Sequence, residues 1–275
     1  MHKNYCMFIE RFNPVYPLSD YIEMYWYWKG NASELPVRQQ FITPDTHTNL
    51  VLNFGSEMKY FNASGMALSI KDAVYIGQQS KAYIGTMGEI IDLITIRFKP
   101  QGAANFMNLP ISETSEQIIN PDYIFGKAID SLRAQIYEQQ QVADKIRILE
   151  NGLLALLHKH VIADRYIDLM INKIKYKEGI VSLKDISSQS GSEYKRMQRS
   201  FNACVGISPK LFSRMLRFDG ICKKVVNSSK TDWFDIIATY ELADQSHLIK
   251  EFQFFTGYSP SEFAARIQNK EIAWV

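Results

Sequence analysis

Apolar and polar side chains alternate along three stretches of the first hundred residues. The stretches are residues 22–28, 50–54 and 91–98, where apolar side chains recur at every second position. A period of two puts alternate side chains on opposite faces of a β-strand, and turn-forming residues such as Pro44-Asp45 separate the stretches. Several short strands with turns between them predict a small β-barrel or sandwich in the N-terminal half.

The period changes from two to about 3.6 after Pro100, which predicts helices. We expect helical structure near Phe106, at 112–119 and at 126–137, followed by a strong amphipathic helix at 142–158. The apolar residues of that last helix, at positions 142, 146, 149, 153, 156 and 157, lie on one side. This stripe suits either the seam of a dimer or a brace against the β-rich half, and both alternatives stay open.

A near-repeat fills much of the last hundred residues, because residues 186–212 recur at 237–263. In each copy two apolar residues stand four apart and a Gly-x-Ser-Pro sequence follows. Apolar residues four apart share one helix face, the glycine ends that helix, and the serine begins the next. A helix-turn-helix unit used twice is therefore expected. The residues are Met197, Phe201 and Gly206 in the first copy, and Leu248, Phe252 and Gly257 in the second.

The polar face of each second helix decides between a packing unit and a reader of DNA. With the apolar pairs pointing inward, a step of about 100° per residue turns eight polar side chains outward or onto the flanks. Arg and Lys can bind the acceptors of guanine, and Asn or Gln those of adenine, so this set suits the major groove. The predicted DNA-binding residues are Lys195, Arg196, Arg199 and Asn202, then Gln245, Ser246, His247 and Lys250.

These features resemble the DNA-binding domain of the AraC/XylS-type transcription regulators. The residues that carry the resemblance are Ser187, Gly191, Met197, Arg199, Phe201 and Gly206, then ADQSHLIKEF at 243–252 and TGYSPSEF at 256–263. It implies two helix-turn-helix units, joined by a long linker helix, that place recognition helices in successive segments of the major groove. By position, Lys195, Arg199, Ser246 and Lys250 fall where the family's base-contacting side chains fall.

One departure from the family concerns the turn of the second unit. Leu242 stands where the family usually has glycine. If the backbone there has a positive φ, a branched side chain is strained.

Charge is divided unevenly between the two units. Residues 192–230 hold nine Lys or Arg against two acids, whereas 231–275 hold three bases against seven acids. The first unit and the linker helix should therefore supply most of the phosphate affinity, with the linker's bases exposed to solvent. Those linker bases are Arg214, Arg217, Lys223 and Lys224.

The N-terminal half resembles the poorly characterised sensor-like domain that precedes this DNA-binding domain in part of the family. The matching pieces are 18–28, 43–55 and 96–117. The resemblance implies a β-rich domain and does not identify its ligand. Small-molecule pockets are largely aromatic with a few polar groups, although a plain aromatic core explains the same residues. The candidates are Trp26, Trp28, Phe41, His47 and Phe54, with Tyr25 and Tyr27 beside them.

Other functional classes lack their motifs. The sequence has no nucleophile elbow, phosphate loop, dinucleotide fingerprint or metal-spaced histidines, so neither enzyme activity nor a cofactor or metal is expected. Asp45 with His47 and Glu89 with Asp92 are the nearest approach to catalytic pairs, and exposed loop charges explain them. With no membrane span or signal peptide, a cytoplasmic location is expected. The three cysteines, Cys6, Cys204 and Cys222, should be reduced thiols.

We therefore predict an α+β protein: a β-rich sensor-like domain at 1–105, a helical brace at 106–164, and an all-α double helix-turn-helix domain at 165–268. The predicted function is sequence-specific DNA binding in transcription regulation. The expected partners are double-stranded DNA, a small-molecule effector, a second copy of the chain and RNA polymerase. The alternative is an adaptor or ligand-binding protein that does not bind DNA.

Overall fold

The computed structural model describes residues 7–61, 65, 67–157, 165–182, 194–228 and 231–274. Its N-terminal half is β-rich and its C-terminal half is helical, which confirms the predicted α+β class. The strands in these ranges form two sheets, with orders β1-β2-β9-β4-β7-β10 and β11-β3-β8-β5-β6. The sheets do not close into a barrel. The strands are β1 (Phe8–Phe12), β2 (Ile22–Asn31), β3 (Gln39–Ile42), β4 (Thr48–Asn53), β5 (Met58–Phe61), β6 (Ala67–Ile70), β7 (Ala73–Ile76), β8 (Tyr83–Thr86), β9 (Ile90–Phe98), β10 (Ile118–Ile119) and β11 (Ala273–Trp274).

The three stretches with clear alternation form neighbouring strands at the centre of the six-stranded sheet. Strand β9 pairs antiparallel with β2 on one side and with β4 on the other, so that Ile96 lies opposite both Tyr25 and Leu50. These three side chains are fully buried against the helices that follow the sheet. Because neighbours along a strand point to opposite faces, the tryptophans of β2 face the second sheet instead.

A helical layer covers one face of this sheet. It contains α1 (Asp122–Phe125), α2 (Ala128–Tyr137) and α3 (Val142–Leu156). Leu149 and Leu153 of α3 have no exposed surface and pack in one core with the central strands. The apolar stripe of α3 therefore acts as the brace. A homodimer stays a prediction, but this stripe is not free to form its seam.

The helix expected at 112–119 is absent, and that expectation is wrong. The chain forms a 3-10 turn at Ile111–Thr114 and then the edge strand β10, which pairs with β7 through Ile118 and Ile76. The sequence between them, Thr-Ser-Glu-Gln, offers no apolar stripe with which a helix could pack.

The C-terminal half reproduces the near-repeat as structure. Helices α5 and α8 have equal length and lie 51 residues apart, and each ends at a glycine with positive φ, +91° at Gly206 and +76° at Gly257. The hydroxyls of Ser208 and Ser259 then cap the next helix. The helices are α4 (Arg165–Tyr176), α5 (Tyr194–Val205), α6 (Pro209–Val226), α7 (Trp233–Thr239), α8 (Gln245–Thr256) and α9 (Pro260–Gln268). Residues 183–193, with Ser187 and Gly191, lie outside the described ranges.

The turn of the second unit has its left-handed residue next to Leu242. Glu241 has the positive φ, +50°, and Leu242 does not. Leu242 is buried and donates its N–H to the carbonyl of Ile237 at 3.0 Å. The condition for strain at Leu242 is therefore not met, because the left-handed residue that ends α7 comes one position earlier.

The two halves share a core. Phe41 of β3 packs against Tyr258 and Phe263, with ring centroids 5.6 and 6.0 Å apart. The N–H of Ala82 donates to the carbonyl of Phe255 at 2.7 Å, and β11 adds to β3 as a parallel strand. The second helix-turn-helix unit is therefore attached directly to the five-stranded sheet. Strands β10 and β11, which lie beyond residue 105, also belong to these sheets. The predicted domain boundaries at 105 and 165 stay a prediction.

The first unit is held by a separate contact. The hydroxyl of Ser115 donates to the carbonyl of Gly206 at 2.6 Å, just after α5 ends. A Cβ atom on Gly206 would lie 2.6 Å from that hydroxyl, so the close approach requires glycine. Each unit thus contacts a different part of the β-rich half.

Candidate nucleic-acid interface and cavity

Helix α5 exposes the basic face that the sequence predicts. Met197 and Phe201 are buried, which leaves Lys195, Arg196, Arg199 and Asn202 exposed. Within the described ranges, none of the three bases forms an ion pair. Their charges are therefore available to an external anion.

Helix α8 exposes Gln245, Ser246 and Lys250 on the equivalent face. His247 behaves differently, because its ring is half-buried. Its Nδ1 accepts from the N–H of Ala243 at 3.3 Å, and its Nε2 lies 3.7 Å from a carboxylate oxygen of Glu251. The imidazole thus contacts residues just before α8 and within α8 itself, and it is less exposed than the other three predicted side chains.

Four of the five bases of the linker helix α6 have acidic partners, and the fifth, Lys210, is exposed. Glu251 of α8 is buried, with 5% of its surface exposed, and a buried carboxylate needs cationic partners. Arg214 supplies one at 2.9 Å and Arg217 a second at 3.9 Å. The expectation that these two arginines stay exposed is wrong. The other two linker bases also have acidic partners, Lys223 with Asp219 at 2.5 Å and Lys224 with Asp235 at 2.7 Å.

A cavity of about 450 Å³ lies between the two sheets. Trp26 and Trp28 of β2 line it from one sheet, and Tyr60 and Tyr83 from the other. The helical half contributes the rest of its wall. Those residues are Lys175 of α4 and Met215, Leu216, Asp219 and Lys223 of α6. A molecule in this cavity would therefore contact both halves of the protein.

Strand alternation separates the candidate pocket residues that line the cavity from those on the opposite strand faces. Trp26, Trp28 and His47 line the cavity. Phe41 lies on the opposite face of β3 from Gln40 and Ile42, and it packs into the helical half instead. Phe54 stacks on Tyr137 at 6.4 Å, beside the helical layer. Tyr25 and Tyr27 are buried on that same far side of the sheet.

A chain of polar contacts forms one end of the cavity. Arg97 binds Asp45 at 2.6 Å and donates to Nδ1 of His47 at 2.8 Å, while Nε2 of His47 lies 2.9 Å from Glu23. The hydrogen bond from His47 lowers the pKa of Glu23 to about 2. For Asp45, burial acts to raise the pKa, but Arg97 and His47 together hold it below its usual value. Asp45 and His47 are therefore part of the cavity wall, and the expectation of exposed loop charges is wrong for them.

Several polar groups at the cavity have no hydrogen-bond or ion-pair partner among the described residues. The hydroxyl of Thr46 and the indole N–H of Trp26 are buried without a hydrogen-bond partner among the described residues. Lys175 is half-buried and likewise forms no ion pair or hydrogen bond within those ranges. Sequence reasoning missed Lys175, because a lysine in an amphipathic helix gives no signal that it faces a distant sheet.

Cys204 and Cys222 are buried and form no disulfide among the described residues, while Cys6 lies outside the described ranges. No helix in the described part of the chain is long and apolar enough to span a bilayer.

Comparisons with known proteins give one family match and several structural similarities. Residues 10–120 match a family described only as a domain of unknown function, DUF6597. A comparison with curated proteins gives no match.

The solved structures that are similar to this chain include ToxT from Vibrio cholerae, at 10% identity and a TM-score of 0.46, covering 96% of this chain and 98% of that chain. A second structure, ToxT from Vibrio cholerae O395, has 10% identity and a TM-score of 0.43 over 84% and 96%. The AraC-like transcriptional activator CuxR has 14% identity and a TM-score of 0.29 over 76% and 78%. Because these values are low, we base the function on the geometry of this chain.

Proposed function

We propose that this protein is a sequence-specific DNA-binding transcription regulator. The observation that carries the proposal is the pair of equivalent helices, α5 and α8, each with an exposed polar face on a unit that repeats after 51 residues. Lys195 and Arg199 on α5, and Lys250 on α8, have no ion-pair partner in the described ranges. Exposed bases without ion pairs in the described ranges, on two equivalent helices, suit two contacts with the major groove.

The two helices contribute unequally. Helix α5 offers three exposed bases, whereas α8 offers Lys250 and neutral donors. Four of the five bases of α6 are already paired with acids, which leaves Lys210, so phosphate affinity has to come mainly from α5. Helix α8 then adds selectivity more than affinity, through Gln245, Ser246 and Lys250.

The cavity gives the regulator a place for a small-molecule effector. Its walls come from both sheets and from the linker helix α6, whose arginines hold α8. An occupant would favour one arrangement of the two halves over another, because it contacts both.

Selection of bound sequences from random DNA tests the proposal. We expect a bipartite site whose two parts lie about one helical turn, or about 10 base pairs, apart. Lys195→Ala with Arg199→Ala should abolish selection in one part, and Gln245→Ala with Lys250→Ala in the other. A chain that enriches no sequence and shows no salt-dependent affinity would instead be an adaptor or a plain ligand-binding protein.

A further inference from the structure

The charged groups around the cavity can be paired one by one. Asp45 pairs with Arg97 at 2.6 Å and Asp219 with Lys223 at 2.5 Å. Glu23 accepts from His47 at 2.9 Å. Each carboxylate that lines the cavity therefore has a contact partner from within the protein.

Lys175 is the charge that remains. Its side chain lines the cavity from α4, yet it has no hydrogen bond or ion pair with any residue in the described ranges. Glu23 attracts it through space, but the contact of Glu23 is with His47. Burial lowers the pKa of Lys175, which is the behaviour of an amine that has lost water without gaining a close anion.

Neutral donors with no partner line the same cavity. The Thr46 side chain is 2% exposed, and its hydroxyl has no partner among the described residues, nor does the indole N–H of Trp26. Buried donors in proteins are nearly always satisfied, so such a group indicates a partner that completes it. Beyond this polar end, the wall is aromatic and aliphatic, with Trp28, Tyr60 and Leu216.

We propose that the cavity binds a small organic anion, a carboxylate on an apolar or aromatic body, whose charged group contacts Lys175. The inference rests on the proposed function in that it specifies the ligand class of the effector cavity. A carboxylate accepts hydrogen bonds and carries the charge that Lys175 lacks, while the body occupies the aromatic part. Thr46 and Trp26 line the cavity from the β-rich half and would donate to its oxygens.

This arrangement makes the ligand a connection between the two halves. Lys175 belongs to the helical half, whereas Thr46 and Trp26 belong to the β-rich half. An anion held by both would fix α4 against the sheets.

Three probes that share one body test the charge requirement: 4-phenylbutyrate, 4-phenylbutanol and 4-phenylbutylamine. Calorimetric titration of the full chain should show that the acid binds at least tenfold more tightly than the alcohol, and that the amine binds most weakly. In Lys175→Gln the acid should lose at least tenfold in affinity, while binding of the alcohol stays within twofold. Lys177→Gln is the matched control, because Lys177 is exposed two residues further along and should leave all three affinities unchanged.

Three results would overturn the inference: equal binding of acid and alcohol, preference for the amine, or no binding of any probe. An equal loss for acid and alcohol in Lys175→Gln would also do so, since it indicates a damaged cavity. Affinity for a selected DNA site is measured on the same variants. A chain that binds the acid through Lys175 but binds no DNA keeps this inference and fails the proposed function.

Discussion

Arg214 of the linker helix α6 and Glu251 of α8 form a two-point contact. Atom Nη2 of Arg214 lies 2.9 Å from Oε1 of Glu251, and its Nε lies 3.2 Å from the same oxygen. The guanidinium also covers the ring of Phe254 at 4.5 Å. Since Glu251 points into the core from α8, this contact fixes how α8 sits on α6.

Removing Arg214 should destabilise the C-terminal helices. In Arg214→Met the carboxylate of Glu251 stays buried, with the more distant Arg217 at 3.9 Å and His247 at 3.7 Å beside it, and we expect a loss of about 2 to 3 kcal/mol. Chemical denaturation measures it. Adding Glu251→Gln should recover part of the loss, because the buried charge is gone. Arg266→Met, at a more exposed pair, is the control with little effect. If Arg214→Met and the double variant Arg214→Met/Glu251→Gln lose equal stability, Arg214 acts through packing alone.

The turn of the second unit predicts that two neighbouring substitutions by glycine change the free energy of unfolding in opposite directions. Glu241→Gly should stabilise by about 0.5 to 1 kcal/mol, because glycine adopts the left-handed conformation without strain. Leu242→Gly should destabilise by about 3 to 4 kcal/mol, because it removes a buried side chain. Thermal melts give both signs. Stabilisation by Leu242→Gly would mean that the strained residue is Leu242 after all.

Local periodicity explains which parts of the structure could be predicted. Strands β2, β4 and β9 and helix α3 have strong patterns, and all four form near the expected positions. The 51-residue repeat likewise predicts α5 and α8, because a helix with a fixed end and cap is specified by nearby residues. Alternation could also have separated Trp26 and Trp28 from Tyr25 and Tyr27.

Contacts between distant residues could not be predicted in this way. Nothing near Lys175 indicates that it faces the β2 strand, and nothing near Arg214 indicates a partner 37 residues away. The short strands β5 to β8 also lacked a clear signal, since four residues hold too little alternation to stand out.

Substitution in the apolar stripe of α3 tests the brace. Leu149→Glu places a charge where the side chain has no exposed surface, so the N-terminal half should lose more than about 4 kcal/mol and unfold. Circular dichroism measures whether the variant is folded, and sedimentation measures whether it is a monomer or a dimer. Leu154→Glu, on the more exposed side of α3, should keep the fold. A folded monomer from a dimeric parent after Leu149→Glu would instead show that the stripe is a seam.

The polar end of the cavity predicts an acid-sensitive contribution to stability. Glu23 has a pKa of about 2 in the folded protein and an ordinary value of 4.5 when unfolded. Its stabilising effect is therefore fully present above about pH 5 and is lost as the pH falls towards 2, because the unfolded chain takes up the proton more readily. Thermal melts between pH 6 and pH 2 measure the slope. Glu23→Gln should flatten it, while Glu57→Gln, on an exposed residue outside this network, should not.

The effect of Arg199→Ala on sequence preference tests the proposed DNA interface most directly. Arg199→Ala should cost about 1 to 3 kcal/mol on a selected site and relax the preference at one base position. Lys210→Ala, an exposed base at the start of α6, should weaken all sequences alike if it contacts phosphate. Lys223→Ala should change affinity little, because Lys223 is paired with Asp219 beside the cavity. Fluorescence anisotropy on the selected site and on single-base variants separates the three. If Arg199→Ala weakens every sequence equally, Arg199 contacts the backbone, and base reading by α5 has to come from Lys195 or Asn202.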